Sequence, residues 1–166
     1  MEFTPVTLIF LLMAAFVLGG SLGVVINRNL IHAALFLILA LFGMAGLFIL
    51  LEAPFLAAVQ ILVYVGAISV LITITIMVTR RIMGTTENVN KQWPLAAVVS
   101  ALLAGTLGFV LLSTFPNVLP TGTVPETYIA MMGSALVSHQ GYLLPFEVAS
   151  VLLLAALIGS IVVARE

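Results

Sequence analysis

From residue 55 to residue 79 the chain carries no charged side chain, and the run stops abruptly at Arg80-Arg81. An α-helix rises about 1.5 Å per residue and the hydrocarbon core of a bilayer is about 30 Å thick, so about 20 apolar residues suffice to cross it. This run predicts a membrane-spanning helix. Backbone groups find no hydrogen-bond partners in lipid, which leaves a helix or a closed barrel as the only ways across, and a run this long and continuously apolar is a helix.

Four more segments meet the same criterion. Spans are expected at about 5–26, 31–51, 55–79, 93–115 and 143–164. Asn27-Arg28-Asn29 separates the first two, and Glu52-Ala53-Pro54 the second and third. With 63% hydrophobic and 7% charged residues, against about 25% charged in soluble domains, a water-soluble globule is excluded. The fold class is an all-α integral membrane protein with five transmembrane helices, read as a single membrane domain. A long outer loop, 116–142, contains Pro116, Pro120, Pro125, Gly122, Gly133 and Gly141, and a short amphipathic piece is expected from Thr127 to Val137.

Five crossings put Arg28, Arg80, Arg81, Lys91 and Arg165, all of the basic residues, on one face. The positive-inside rule assigns that face to the cytoplasm, so the N-terminus is expected outside and the C-terminus in the cytoplasm. The first apolar segment lacks Lys or Arg before it and is too long for a cleavable signal, so it is expected to remain as a span.

Chemistry is largely missing. There is no phosphate-binding glycine loop, dinucleotide fingerprint or metal-ligand spacing. The absence of cysteine removes thiolate clusters, disulfides and thiol nucleophiles. His32 begins the second span and His139 lies in the outer loop, so about 30 Å of bilayer separates them and they cannot share a haem. No bond-breaking reaction is expected from this chain alone, and no nucleic-acid partner.

The polar groups inside the spans carry the remaining information. On a regular helix Gln60, Tyr64 and Thr75 fall within about 60° of one another, with Gly66, Ser69 and Thr73 in a second stripe on the opposite side. Both faces of the third span therefore call for protein neighbours, with polar side chains bonding across helices. Gly19-x-x-x-Gly23 in the first span, and Gly43 with Gly46 in the second, are packing signals. Glu147 sits one turn inside the fifth span. Two roles fit it: membership of a proton path, or an anion behind Pro145 at the positive end of a helix dipole. Glu52 reads as a solvated turn residue.

Three blocks resemble subunit J of the proton-pumping NADH-quinone oxidoreductase, respiratory complex I. They are Asn29-Leu30-Ile31-His32-Ala33-Ala34-Leu35; Gln60-Ile61-Leu62-Val63-Tyr64-Val65-Gly66-Ala67-Ile68; and Tyr142-Leu143-Leu144-Pro145-Phe146-Glu147-Val148-Ala149-Ser150 with the leucines that follow. The resemblance extends over nearly the whole chain. It implies a bacterial inner-membrane subunit holding no cofactor of its own, in a complex that uses NADH, FMN, iron–sulfur clusters and quinone. It also implies packing among the quinone-binding subunit, small three-helix subunits and antiporter-like subunits. A π-bulge hinge is implied at Tyr64, Val65 and Gly66, with Gln60 and Tyr64 lining a proton path and Glu147 as a buried carboxylate. Many members of that family carry a glutamate where this chain has Gln60, and a neutral amide cannot exchange a proton near neutral pH. Two alternatives stay open: a subunit of a related ferredoxin-driven complex, and a free-standing membrane carrier. The second is disfavoured by the lack of an inverted repeat and of midplane charge.

Overall fold

The computed structural model describes residues 4–79, 92–115, 124, 125 and 127–165. Five helices in it are long and apolar enough to cross a membrane: Pro5–Ile26, Leu30–Leu50, Pro54–Thr79, Trp93–Thr114 and Leu143–Ala164. Each bound lies within a residue of the expected one, well inside the usual fraying of helix ends. Proline occupies the first turn of the first, third and fourth spans, where its missing N–H costs no hydrogen bond. Asn29 caps the second, its Oδ1 accepting the Ile31 N–H at 3.0 Å.

The described residues form two compact units, Met1–Pro120 and Thr121–Glu166. In the first, the first and second spans make an antiparallel hairpin whose seam consists of small residues. A Cβ on Gly20 would lie 2.7 Å from the Ala40 backbone nitrogen, and one on Gly43 would lie 3.0 Å from the Met13 carbonyl oxygen. Only hydrogen fits there. Gly23 faces the Phe36 ring and Gly46 faces Met13, but Gly19 has nothing within 4 Å. The expected Gly19–Gly23 pairing is corrected accordingly: the seam runs through Gly20 and Gly23, which share a face because they are three residues apart.

The second span ends in a tight reversal. Ala53 N–H donates to Phe48 O at 2.9 Å and Glu52 N–H to Ile49 O at 3.1 Å, the paired bonds of a Schellman cap. Glu52 occupies the left-handed position of that cap with φ 55°. The reversal delivers the third span onto the second, which it accompanies along its length. The core of this unit is the line of small residues Ala33, Ala34, Ala40, Ala45 and Ala57 together with Gln60 and Ser69.

The fourth span buries none of its residues. In the second unit a short helix, Tyr128–Val137, occupies part of the expected outer loop and packs on the fifth span. The turn between them is closed by Tyr142 N–H donating to Ala135 O at 2.8 Å. Pro116, Pro120 and Gly122 lie outside the described residues, as do Arg80, Arg81 and Lys91.

Candidate functional site

The third span is not one regular helix. Pro54–Val59 is α-helical, Gln60–Ile68 is wound as a π-helix with i→i+5 bonds, and Ser69–Thr79 is α-helical again. Runs of π-helix are rare and usually amount to a single turn. Nine residues of it in a row set this stretch apart from every other described element.

The altered winding changes which side chains share a face. Nine steps of about 100° would place Gln60 and Ser69 on opposite sides of a regular helix. Each widened turn takes up nearly one extra residue, and two such turns return Ser69 to the side of Gln60. Both are in fact buried, at 7% and 1% exposure, on the stretch that runs beside the second span. The two opposed polar stripes expected from a regular wheel are therefore corrected, because the wheel's phase does not survive the π segment.

Gln60 reaches across to the second span: its Nε2 donates to the Leu41 carbonyl at 3.4 Å, a long bond. Ser69 bonds within its own helix. Its Oγ donates to the Tyr64 carbonyl at 2.7 Å, and its backbone N–H donates to the same oxygen. Thr73 Oγ1 donates to Ser69 O, Thr75 Oγ1 to Leu71 O and Thr79 Oγ1 to Thr75 O, each at 2.8 Å. The expectation that these hydroxyls bond across helices is overturned, since carbonyls of the preceding turn already satisfy them.

Tyr64, Val65 and Gly66 all lie inside the π segment, of which Gln60 is the first residue. Tyr64 is 45% exposed, Val65 half-buried and Gly66 exposed. A Cβ on Gly66 would stand 3.2 Å from the Ile61 carbonyl oxygen, five residues back, which is tighter than a comfortable contact. Glycine thus relieves the backbone where the wide turn closes on itself. Between Gln60 and Ser69 no side chain is buried, so the segment is held at its two ends and left open along its middle.

Glu147 belongs to the other unit, on a span with no buried residue, and its own side chain is exposed. The expected burial of this carboxylate is therefore not seen among the described residues. His32 and His139 are exposed as well. Among the described residues no three His, Cys, Asp or Glu side chains gather to hold a metal ion. What the site offers is a conformational element rather than a reactive group. The bond from Ser69 to the fifth residue back was not foreseen, because nothing in the residue types distinguishes a hydroxyl bonded five residues back from one bonded four back.

Comparison with known proteins bears on what this element serves. The family described as NADH-ubiquinone/plastoquinone oxidoreductase chain 6 matches residues 20–163. The chain is 42% identical over 165 residues to NAD(P)H-quinone oxidoreductase chain 6 of Synechocystis sp., covering 95% of this chain and 79% of that one. It is 39% identical over 163 residues to the F(420)H(2) dehydrogenase subunit J of Methanosarcina mazei, covering 96% and 90%. With the chloroplastic NAD(P)H-quinone oxidoreductase subunit 6 of Marchantia polymorpha the identity is 34% over 172 residues, covering 95% and 87%.

Proposed function

Since the chain belongs to the family of NADH-ubiquinone/plastoquinone oxidoreductase chain 6, we propose that it is a non-catalytic membrane subunit of a proton-translocating NADH-quinone oxidoreductase. Its third span acts as a winding switch that helps couple quinone reduction to proton movement. The observation that carries this reading is the π segment Gln60–Ile68, gripped at both ends and open between them.

Rewinding one π turn into an α turn removes one residue from it and rotates everything beyond by about 100°. Thr73, Thr75 and the apolar side chains of Ser69–Thr79 then meet different neighbours. A water-filled path that passes this helix is opened or closed by that rotation alone. Gln60 at the start of the π segment and Tyr64 within it, its ring exposed, line that path; Gln60 orients water without exchanging protons. Glu147 holds a hydrogen bond to a neighbouring subunit and fixes the fifth span.

NADH, FMN, the iron–sulfur clusters and quinone belong to other subunits, in line with a donor set here that contains no cysteine. The partners are the quinone-binding subunit, the small three-helix subunits and the antiporter-like subunits. The setting is a bacterial inner membrane, with the N-terminus outside and the C-terminus in the cytoplasm. A second reading keeps the role and changes the electron donor. The Methanosarcina relative, named for F(420)H(2), is matched nearly as well as the one named for NAD(P)H, as expected if this subunit lies away from the donor site; a ferredoxin-driven complex falls under the same reading. Mass spectrometry of the native assembly identifies the donor-binding subunits.

Gly66→Val tests the switch. A β-branched side chain pressed on the Ile61 carbonyl should impair coupled pumping more than assembly, and normal pumping by the assembled variant would overturn the proposal. Glu147→Gln should lower turnover by loosening the fifth span from its neighbour, and unchanged turnover would overturn that role.

A further inference from the structure

We infer that the short helix Tyr128–Val137 is an interfacial anchor: it lies in the boundary layer of the bilayer at the face where the fifth span begins, with lipid covering its outward side. The inference concerns the other unit of the chain and holds whether or not the third span changes its winding. The helix has ten residues, about 15 Å at about 1.5 Å per residue, half of what a crossing needs. From residue 127 to residue 146 there is no Asp, Glu, Lys or Arg. A helix without charge on any side is covered by protein or by membrane.

Two observations choose between those covers. The first is where the helix sits. Tyr142 N–H donates to Ala135 O at 2.8 Å and Gly141 N–H to Ser138 O at 2.9 Å, and a Cβ on Gly141 would fall on the Ala135 carbonyl. This closed turn fixes the helix to the start of the span. Tyr128, Met132, Ala135 and Leu136 form one half-buried helical stripe, whereas on the span every residue but its first, Leu143, is exposed. The helix therefore meets the span at its mouth and does not run down its flank. That is the level of the membrane surface, where tyrosines such as Tyr128 and Tyr142, which bracket the helix and its turn, are enriched.

The second observation is what the outward side offers. Ile129, Gly133 and Val137 follow one another at four-residue spacing, with Ile129 50% and Val137 61% exposed and open space at Gly133. Met131 is exposed as well, and the Ser134 hydroxyl already donates to Met131 O at 2.8 Å. Interfaces between proteins carry about one hydrogen bond per 100–200 Å². This side presents no charge and, with Ser134 bonded back, no side-chain donor to spare. The boundary between headgroups and acyl chains asks for neither. Bound there, the helix holds the start of the fifth span, and Glu147 one turn within it, at a fixed depth.

The test uses the whole complex in nanodiscs of phosphatidylcholine, where both membrane faces are accessible. A photoreactive diazirine side chain in place of Val137 reports its neighbour, after illumination, as the mass added to this chain. The expected adduct is a phospholipid. A crosslink to another subunit would overturn the inference in favour of a protein cover, and addition of water alone would overturn it in favour of a solvated helix. A second measurement does not depend on that variant. The chain has no cysteine, so Ile129→Cys places one thiol on the outward side and Gln140→Cys places one in the exposed turn. A charged maleimide, read as a mass shift of this chain, should label Ile129→Cys several-fold more slowly than Gln140→Cys, because the reactive thiolate forms only where water reaches it. Equal rates, or faster labelling at Ile129→Cys, would overturn the anchor. Neither readout involves the third span, so the anchor and the winding switch fail separately.

Discussion

The second span has two packed faces, built on different principles. Toward the first span it presents Ala40 and Gly43, where backbone comes so close at Gly20 and Gly43 that a methyl group has no room, and Gly46, which meets the Met13 side chain. Toward the third span it presents the Leu41 carbonyl, met by a long hydrogen bond from Gln60, and a helix that changes its winding twice. Lipid tails are as apolar as leucine, so helices in a membrane hold together through close packing and polar bonds. The first seam uses the former and is rigid. The second joins the helices by one such bond, from Gln60 to Leu41, and buries Ser69 at the other end, with no buried side chain between them.

Substitutions separate the two seams by the size of their effects. Gly20→Leu should be the most damaging, because a side chain driven into the Ala40 backbone must part the hairpin. The expected cost is about 3 kcal/mol, read as loss of the subunit from the assembled complex on a native gel. Normal assembly would show that the first seam is as adjustable as the second. Glu52→Gly acts where the two seams join. It relieves a left-handed conformation that costs a residue with a Cβ about 1 kcal/mol, so the thermal midpoint of the complex should rise; a fall would mean that the Glu52 carboxylate itself holds a neighbour. Gln60→Leu keeps the bulk and deletes the bond to Leu41. A loss of about 0.6 kcal/mol, typical of one polar bond between membrane helices, is expected as a small drop in the same midpoint. An unchanged midpoint would show that the bond to Leu41 contributes nothing to the seam.

The spans were legible in the residues because Arg28, Glu52 and Arg80-Arg81 interrupt apolar runs of bilayer length. Proline marks three of the helix starts, and Thr127 to Val137 read as a short helical piece, which is observed as Tyr128–Val137. The contacts were less legible. A helical wheel assumes constant winding, and nine π-wound residues shift its phase enough to bring Gln60 and Ser69 from opposite faces to one. Gly20 was passed over for Gly19 because adjacent glycines look alike until a partner helix chooses between them. The surroundings of Glu147 were not legible, since a carboxylate one turn inside an apolar span reads alike whether it is covered or, as here, exposed.

The charge-free character of residues 55–79 bears on how such a helix is driven. An electric potential of 100 mV does about 2.3 kcal/mol of work on each elementary charge carried across a membrane, and this stretch carries none. A change in its winding would move no side-chain charge through that field. If the span changes its winding as proposed, the membrane potential would do no work on its side chains, and the turn would be driven by the helices packed against it.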